Sequence, residues 1–173
     1  MALLPHPLVV VVHDVRSAYN VGAVFRTADS AGLARVVLTG YTPTPAHRGV
    51  AKTALGAEGA VPWERYDTAE DAFAALRAEG FAVAALERTP EAVAPGDVPA
   101  SAFPLALVLG NEKTGVPRYV LDAADLVVGL PQYGAKASLN VAVAFGAAAY
   151  RLVERYQEVG RGEGGPPERA ASR

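Results

Sequence analysis

Short, uninterrupted apolar segments that alternate with amphipathic segments constrain the fold of this chain more than any other feature. Leu8–Val12 and Leu105–Leu109 contain no polar side chain, which is typical of strands buried on both faces of a sheet. Further strands are predicted at Arg35–Thr39, Phe81–Leu86 and Leu126–Leu130. Because strands of this kind alternate with helices, the pattern predicts an α/β fold with a mostly parallel sheet flanked by helices.

Helical periodicity separates these strands. Between Asn20 and Ala31 apolar residues recur at spacings of three and four, and Gly32 follows, so this segment is predicted to be an amphipathic helix. The other predicted helical segments are His47–Ala60 (a short helix and a loop), Thr68–Glu79 and Asn140–Tyr156. In the last of these, Val141–Ala149 has no polar residue, and such an all-round apolar surface predicts that a partner subunit covers part of it.

The composition predicts one globular domain, residues 1–159, followed by a mobile tail at 160–173. Hydrophobic residues make up 51% of the 173-residue chain and charged residues 20%, whereas Gly, Glu, Arg and Pro dominate the tail. The chain has no cysteine and its three histidines form no HExxH-type pair, so no metal site is predicted. Without a secretory signal pattern or an apolar stretch of about 20 residues, a cytoplasmic protein without a membrane partner is expected.

The charge of the chain is unevenly distributed. A net charge of −2 argues against a plainly basic nucleic-acid-binding protein. However, residues 1–60 carry five basic and three acidic side chains, whereas residues 61–100 carry three and eight. We therefore expect any polyanion site to draw on the first third of the chain.

A first candidate site is the block Asn20–Ala28, at the start of the first predicted helix. Asn20 has the side chain of an N-cap, and Gly22 permits close packing. Arg26, one and a half turns along the helix, is either a solvated charge or a guanidinium fork for a phosphate or a reacting hydroxyl. The residue types leave both alternatives open.

A second candidate is Gly110–Gly115, directly after the predicted strand Leu105–Leu109. Ligands of parallel α/β sheets bind at the carboxyl ends of strands, where this loop lies. The loop is not a P-loop, because Gly115 is followed by Val116 and Pro117 and not by Lys-Ser/Thr. An ordinary strand-to-helix turn and a ligand-binding loop are both compatible with it.

A third candidate is Leu130–Asn140, which leads into the last predicted helix. Either Ser138 or Asn140 is suited to cap that helix. A capping role accounts for one of these two polar residues and leaves the other for a different purpose.

Together the three blocks resemble the SpoU (TrmH-like) RNA ribose methyltransferases of the SPOUT superfamily. The first motif of that family, Asn-x-Gly-x-x-x-Arg, is matched by Asn20, Gly22 and Arg26. The second, Gly-Asn-Glu-x-x-Gly, is matched by Gly110–Gly115. The third, Ile-Pro-Met-x-Gly-x-x-x-Ser-Leu-Asn-Val, is matched by Leu130, Pro131, Gly134 and Ser138–Val141, with Gln132 where many members have methionine.

The resemblance implies a fold whose C-terminal part threads a trefoil knot, S-adenosyl-L-methionine as the cofactor, and a homodimer. The cofactor contacts that it implies, largely through backbone groups, are Glu87, Gly110, Leu130, Gln132, Ser138 and Leu139. The catalytic residues that it implies are Arg26, Asn20, Glu112, Ser138 and Asn140. Arg26 either accepts the hydroxyl proton with help from an RNA phosphate or only clamps that phosphate and orients the ribose. Each site is expected to combine the cofactor of one subunit with Arg26 of the other.

The activity that the resemblance implies is 2′-O-methylation of the ribose in structured RNA. Transfer RNA is favoured over ribosomal RNA, because a single compact domain suits a small folded substrate, and DNA is not an expected partner. Two alternatives stay open. One is a cofactor-binding RNA module without catalysis, and the other is an α/β enzyme that acts on a small molecule, which the acidic composition favours.

Overall fold

The computed structural model describes residues 5–136 and 138–162, in which six strands form one sheet with helices on both faces. The strands are β1 (His6–His13), β2 (Leu33–Thr39), β3 (Trp63–Tyr66), β4 (Ala82–Leu86), β5 (Leu105–Leu109) and β6 (Leu126–Val128). The helices are α1 (Ala18–Ala31), α2 (Arg48–Ala54), α3 (Ala57–Ala60), α4 (Ala69–Ala78), α5 (Arg118–Ala123) and α6 (Val141–Gly162). None of these helices is long and apolar enough to cross a membrane.

The strand order is β3-β2-β1-β5-β4-β6, and every neighbouring pair is parallel. At the centre, Val10 of β1 lies opposite Val36 of β2 on one side and Leu107 of β5 on the other. The chain builds outward from β1 to β3 and places its later strands on the other side of β1. This parallel sheet with flanking helices confirms the predicted fold class.

Both faces of the sheet are buried. Val10 packs in a cluster with Phe25 of α1 and Phe145 of α6, whereas its neighbour Val11 packs on the opposite face with Phe73 of α4. A strand between two helical layers needs apolar side chains at every position, because successive side chains point to opposite faces. This is the physical reason that β1 and β5 have no polar alternation.

Two strands differ from the sequence pattern. The pattern does not predict β3, because this edge strand has four residues and its side chains are exposed or half-buried. Pairing with β2, which places Trp63 opposite Val36, forms it instead. The predicted strand at 126–130 ends at Val128, where its pairing with β4 gives way to an isolated parallel bridge with Val93.

The start of α1 and the end of α6, which pack on the same face of the sheet, also differ from the sequence prediction. α1 begins at Ala18 and is capped by Ser17, whose hydroxyl accepts a hydrogen bond from the N–H of Asn20 (3.3 Å). Asn20 therefore lies inside the first turn, and its side chain is available for tertiary contacts. α6 runs to Gly162, so the helix extends three residues past the start of the predicted tail. The rest of the predicted tail, 163–173, lies outside the described residues.

Candidate active site

A cavity of about 520 Å³ lies beyond the carboxyl ends of β4, β5 and β6. Its walls come from three loops, through residues 86–89, residues 109–116, and Leu130, Gln132, Ser138 and Leu139, and from the start of α6. This is the size range of small-molecule sites, and the position is the usual one for ligands of parallel sheets. All six residues that were predicted to contact the cofactor line it: Glu87, Gly110, Leu130, Gln132, Ser138 and Leu139.

The loop 110–115 is a closed turn that Asn111 holds together. The backbones of Asn111 and Gly115 exchange two hydrogen bonds (3.1 and 2.9 Å), and the Asn111 side-chain oxygen accepts one from the N–H of Lys113 (2.8 Å). The Asn111 amide donates to the carbonyl of Asp14 (2.9 Å) and to the hydroxyl of Tyr41 (2.8 Å). Through these two hydrogen bonds the buried Asn111 side chain connects the loop to the ends of β1 and β2.

Neither glycine of this loop leaves room for a Cβ atom. A Cβ on Gly110 would lie 2.4 Å from backbone atoms of Gly115 and Val116. Gly115 has a φ of +69°, and a Cβ there would lie 2.3 Å from a carboxylate oxygen of Glu87. The two glycines therefore allow the loop to close on itself and to pack against Glu87.

Glu87 joins the loops after β4 and β5. One of its carboxylate oxygens accepts from the N–H of Val116 (2.9 Å), and the other accepts from the N–H of Arg88 (2.9 Å). Its own N–H donates to the carbonyl of Val128 at the end of β6 (3.0 Å). The side chain thus connects two walls of the cavity, a role that the sequence alone does not reveal.

Glu112 connects this loop to the start of α1. Its carboxylate accepts hydrogen bonds from the N–H groups of Arg16 (3.0 Å) and Ser17 (2.9 Å) and from the side-chain amide of Asn20 (3.0 Å). Burial alone raises the pKa of the Glu112 carboxyl, but these hydrogen bonds outweigh it, so the pKa is lower than usual. At neutral pH Glu112 is therefore an ionised anchor at a helix N-terminus and is poorly suited to act as a base.

Asn140 completes a chain of hydrogen bonds across all three motif blocks. Its side-chain amide donates to the side-chain oxygen of Asn20 (3.1 Å), whose own amide binds Glu112. The side-chain oxygen of Asn140 accepts from the N–H groups of Ala142 (2.9 Å) and Val143 (3.2 Å). Asn140 is thus the N-cap of α6, one of the two residues suited to that role, while Ser138 lines the cavity.

The structure describes all five predicted catalytic residues. Four of them line the cavity or belong to the hydrogen-bond chain at its edge, and Arg26 does neither. It lines a second depression, of about 560 Å³, between α1, α2 and α6. Lys52 and Tyr150 line the same depression. Within one chain, the arginine and the cavity therefore belong to separate parts of the surface.

Thr89 is a cavity residue that sequence reasoning missed. Its hydroxyl is shielded from solvent and, among the described residues, has no hydrogen-bond partner. Burying an unpaired hydroxyl costs free energy. An orphaned hydroxyl in the wall of a cavity indicates a polar ligand that pairs with it. No local sequence signal identifies such a residue, because whether its hydroxyl finds a partner depends on the tertiary structure.

Comparison with known proteins places this geometry in a family. The SpoU rRNA Methylase family matches residues 7–150. The 23S rRNA (guanosine-2′-O-)-methyltransferase RlmB of Vibrio cholerae is 32% identical over 151 residues, which are 86% of this chain and 60% of that protein. The tRNA (guanosine(18)-2′-O)-methyltransferase of Escherichia coli is 31% identical over 153 residues, which are 88% of this chain and 66% of that enzyme.

A solved structure agrees with these relatives. The AdoMet-bound rRNA methyltransferase from Sinorhizobium meliloti superposes with a TM-score of 0.79 at 30% identity, covering 86% of this chain and 58% of that one. The chain thus spans about 60% of the length of the V. cholerae relative. Given the family match over residues 7–150, the chain belongs to the SpoU rRNA Methylase family.

Proposed function

We propose that this chain transfers the methyl group of S-adenosylmethionine to a ribose 2′-hydroxyl of RNA. The observation that carries the proposal is the hydrogen-bond chain from Glu112 through Asn20 to Asn140. It joins the three motif blocks at the edge of a cavity lined by all six predicted cofactor residues. Relatives of this chain carry names of rRNA and tRNA 2′-O-methyltransferases, which supports the same reaction.

The cavity fits S-adenosylmethionine. Its walls include apolar side chains such as Leu86, Leu130 and Leu139 beside the backbone of the 110–115 loop, which suits a molecule with an apolar ring face and polar ring edges. The unpaired Thr89 hydroxyl is a further polar group for it. When bound, the cofactor supplies an electrophilic methyl group on a sulfonium.

The residues of the chain have to orient the ribose and assist loss of its proton. The 2′-oxygen forms the new O–CH₃ bond as the S–CH₃ bond breaks, and the hydroxyl proton leaves, so alignment contributes much of the rate. Arg26 is the residue that we assign to this task, either as proton acceptor aided by an RNA phosphate or as clamp for that phosphate. Asn20, Glu112, Ser138 and Asn140 hold the surrounding loops and helix starts.

Replacing Thr89 by valine tests the cofactor part of the proposal. Valine keeps the shape and removes the hydroxyl, so the affinity for S-adenosylmethionine is expected to fall about five- to tenfold, which corresponds to one hydrogen bond of about 1 kcal/mol. Without cofactor, the variant should be at least as stable as wild type, since an unpaired buried hydroxyl has gone. Calorimetric titration and thermal unfolding measure both effects. Thr89→Ser, which keeps the hydroxyl, is the matched control, and unchanged affinity of Thr89→Val would remove Thr89 from the site.

A homodimer is part of the proposal. Phe145 and Leu152 of α6 are buried in the core, whereas Val143 (56% exposed) and Tyr150 (49% exposed) leave apolar surface on the same helix. Leu139, just before α6, is also half exposed. A second copy covering this face would bury that surface and bring the depression of Arg26 to another cavity, which a single chain keeps separate.

The trefoil knot and the RNA class are finer parts of the same proposal. The resemblance to the family carries the knot, and Leu130, Gln132, Ser138 and Leu139 lie beside the loops after β4 and β5 in the cavity wall, where a knotted segment would lie. The named relatives act on rRNA and on tRNA, and we keep tRNA as the first candidate. The cytoplasmic location stays a prediction from the sequence.

Incubation with methyl-labelled S-adenosylmethionine and total RNA tests the proposed function. The expected result is label that becomes soluble after ribonuclease treatment and maps to a 2′-O-methylated nucleotide. RNA binding without any transfer would point to a non-catalytic module, and label in small molecules would point to a different enzyme. Label confined to ribosomal RNA would overturn the preference for tRNA.

A further inference from the structure

The depression that contains Arg26 carries a second cation. It is lined by Ala23, Arg26, Thr27 and Ser30 of α1, Lys52 and Thr53 of α2, and by Leu55 and Tyr150. The lining residues that the structure describes include two cations and no carboxylate. Neither Arg26 nor Lys52 forms an ion pair within the described part of the chain. Two exposed cations that share a depression without a counter-charge are suited to an anion.

Tight packing of α2 on α1 determines where Lys52 lies. A Cβ on Gly22 would lie 2.0 Å from the hydroxyl oxygen of Thr53, so only glycine allows this approach. The Thr53 hydroxyl lies 3.1 Å both from the carbonyl of Tyr19 on α1 and from that of Gly49 on α2, and these two carbonyls are its nearest acceptors. The neighbouring Lys52 amino group then lies 5.9 Å from the centre of the Tyr19 ring, a cation–π contact.

Tyr19 and Arg26 are on one stripe of α1. Tyr19, Ala23, Arg26 and Ser30 are spaced by four, three and four residues, which places them on the same helix face. Tyr19 therefore holds the amino group of Lys52 above the stripe that carries the guanidinium. The side chain of Tyr19 is 55% exposed, so burial in a core does not explain its aromatic ring.

We propose that Arg26 and Lys52 together bind one phosphodiester of the RNA backbone and that Tyr19 is the residue that positions Lys52. The inference rests on the proposed function and adds a second phosphate ligand to it. A guanidinium offers a planar fork and an ammonium a compact charge, so the pair can hold two different oxygens of one phosphate. Charge complementarity favours RNA as the occupant, because the first 60 residues carry the basic excess of the chain.

Salt-dependent binding of an unmodified tRNA transcript pool tests the proposal. Lys52→Ala is expected to weaken binding several-fold and to lower the log–log salt slope by a fraction of the about 0.7–0.9 that one phosphate contact contributes, because Arg26 stays on the same phosphate. The affinity for S-adenosylmethionine should not change. Arg118→Ala is the matched control, because Arg118 is 85% exposed and lies on α5, on the opposite face of the sheet. Its loss should leave the slope as it is.

Kinetics separate positioning from folding. Lys52→Ala and Tyr19→Leu should each raise the KM for the RNA while kcat stays within about twofold of wild type. Lys52→Arg and Tyr19→Phe, which keep the cation and the ring, should restore the KM. A Lys52→Ala slope equal to that of wild type, or an equal loss in Arg118→Ala, would overturn the proposal.

The same measurements distinguish failure of the phosphate site from failure of the proposed methyl-transfer function. A wild-type protein that binds the transcripts in a Lys52-dependent way but transfers no methyl group would overturn the proposed function and leave the phosphate site standing. Methyl transfer that does not depend on Lys52 or on Tyr19 would overturn the phosphate site alone.

Discussion

Arg26→Ala should lose about 100- to 1,000-fold of its methyl-transfer rate, the loss typical of removing one group that acts in the transition state. The affinity for S-adenosylmethionine should stay within about threefold of wild type, since Arg26 is not among the residues that line the cavity. Single-turnover assays on unmethylated RNA and calorimetry with the cofactor measure the two quantities separately. Loss of cofactor binding in this variant would contradict the assignment.

Arg26→Lys is the matched variant, and it separates the two roles that remain for Arg26. A lysine keeps the charge but not the planar fork. If Arg26 only clamps a phosphate, Arg26→Lys should recover part of the rate with the pH dependence of wild type. If Arg26 accepts the proton, the pH–rate profile should change with the side chain that replaces it.

Mixing two inactive variants should restore about a quarter of the wild-type activity. The variants are Arg26→Ala and Leu139→Trp, the second of which places a large ring in the cavity that Leu139 lines. If the active site combines the cavity of one subunit with Arg26 of the other, a mixed dimer has one site with both lesions and one with neither. Half of the dimers are mixed after co-refolding of equal amounts, so one site in four is intact.

Each variant refolded alone is the control for this experiment and should stay inactive. Native mass spectrometry establishes that mixed dimers have formed. If Arg26 served the cavity of its own chain, every site in a mixed dimer would contain one lesion. A mixture that contains mixed dimers but stays inactive would therefore refute the shared site and leave the methyltransferase proposal intact.

The layers of this fold and the loops of its cavity can be derived from the sequence because they depend on local pattern. A strand between two helical layers is apolar at every position, as in Leu105–Leu109, and this pattern is visible without any knowledge of the partners. Parallel strands end at one edge of the sheet, so blocks that directly follow them, such as Gly110–Gly115, must meet there. For this reason the predicted cofactor residues line one cavity.

Tertiary structure alone decided how the polar side chains are used, because their partners are far away in the chain. Asn20 was a plausible cap, but Ser17 caps α1 and Asn20 instead bridges Glu112 and Asn140. The edge strand β3 exists through its pairing with β2, not through a pattern of its own.

Contacts between distant parts of the chain also determine that Arg26 lies outside the cavity and that the Thr89 hydroxyl, in the cavity wall, has no partner among the described residues. The packing of α2 and α6 against α1 places Arg26 in its own depression. The Thr89 hydroxyl is shielded from solvent and has no acceptor or donor among the described residues. The hydrophobic pattern is a property of neighbouring residues, and the sequence determines it directly. A hydrogen bond between residues 120 positions apart, as between Asn20 and Asn140, exists only once the sheet and both helices have brought the two side chains together.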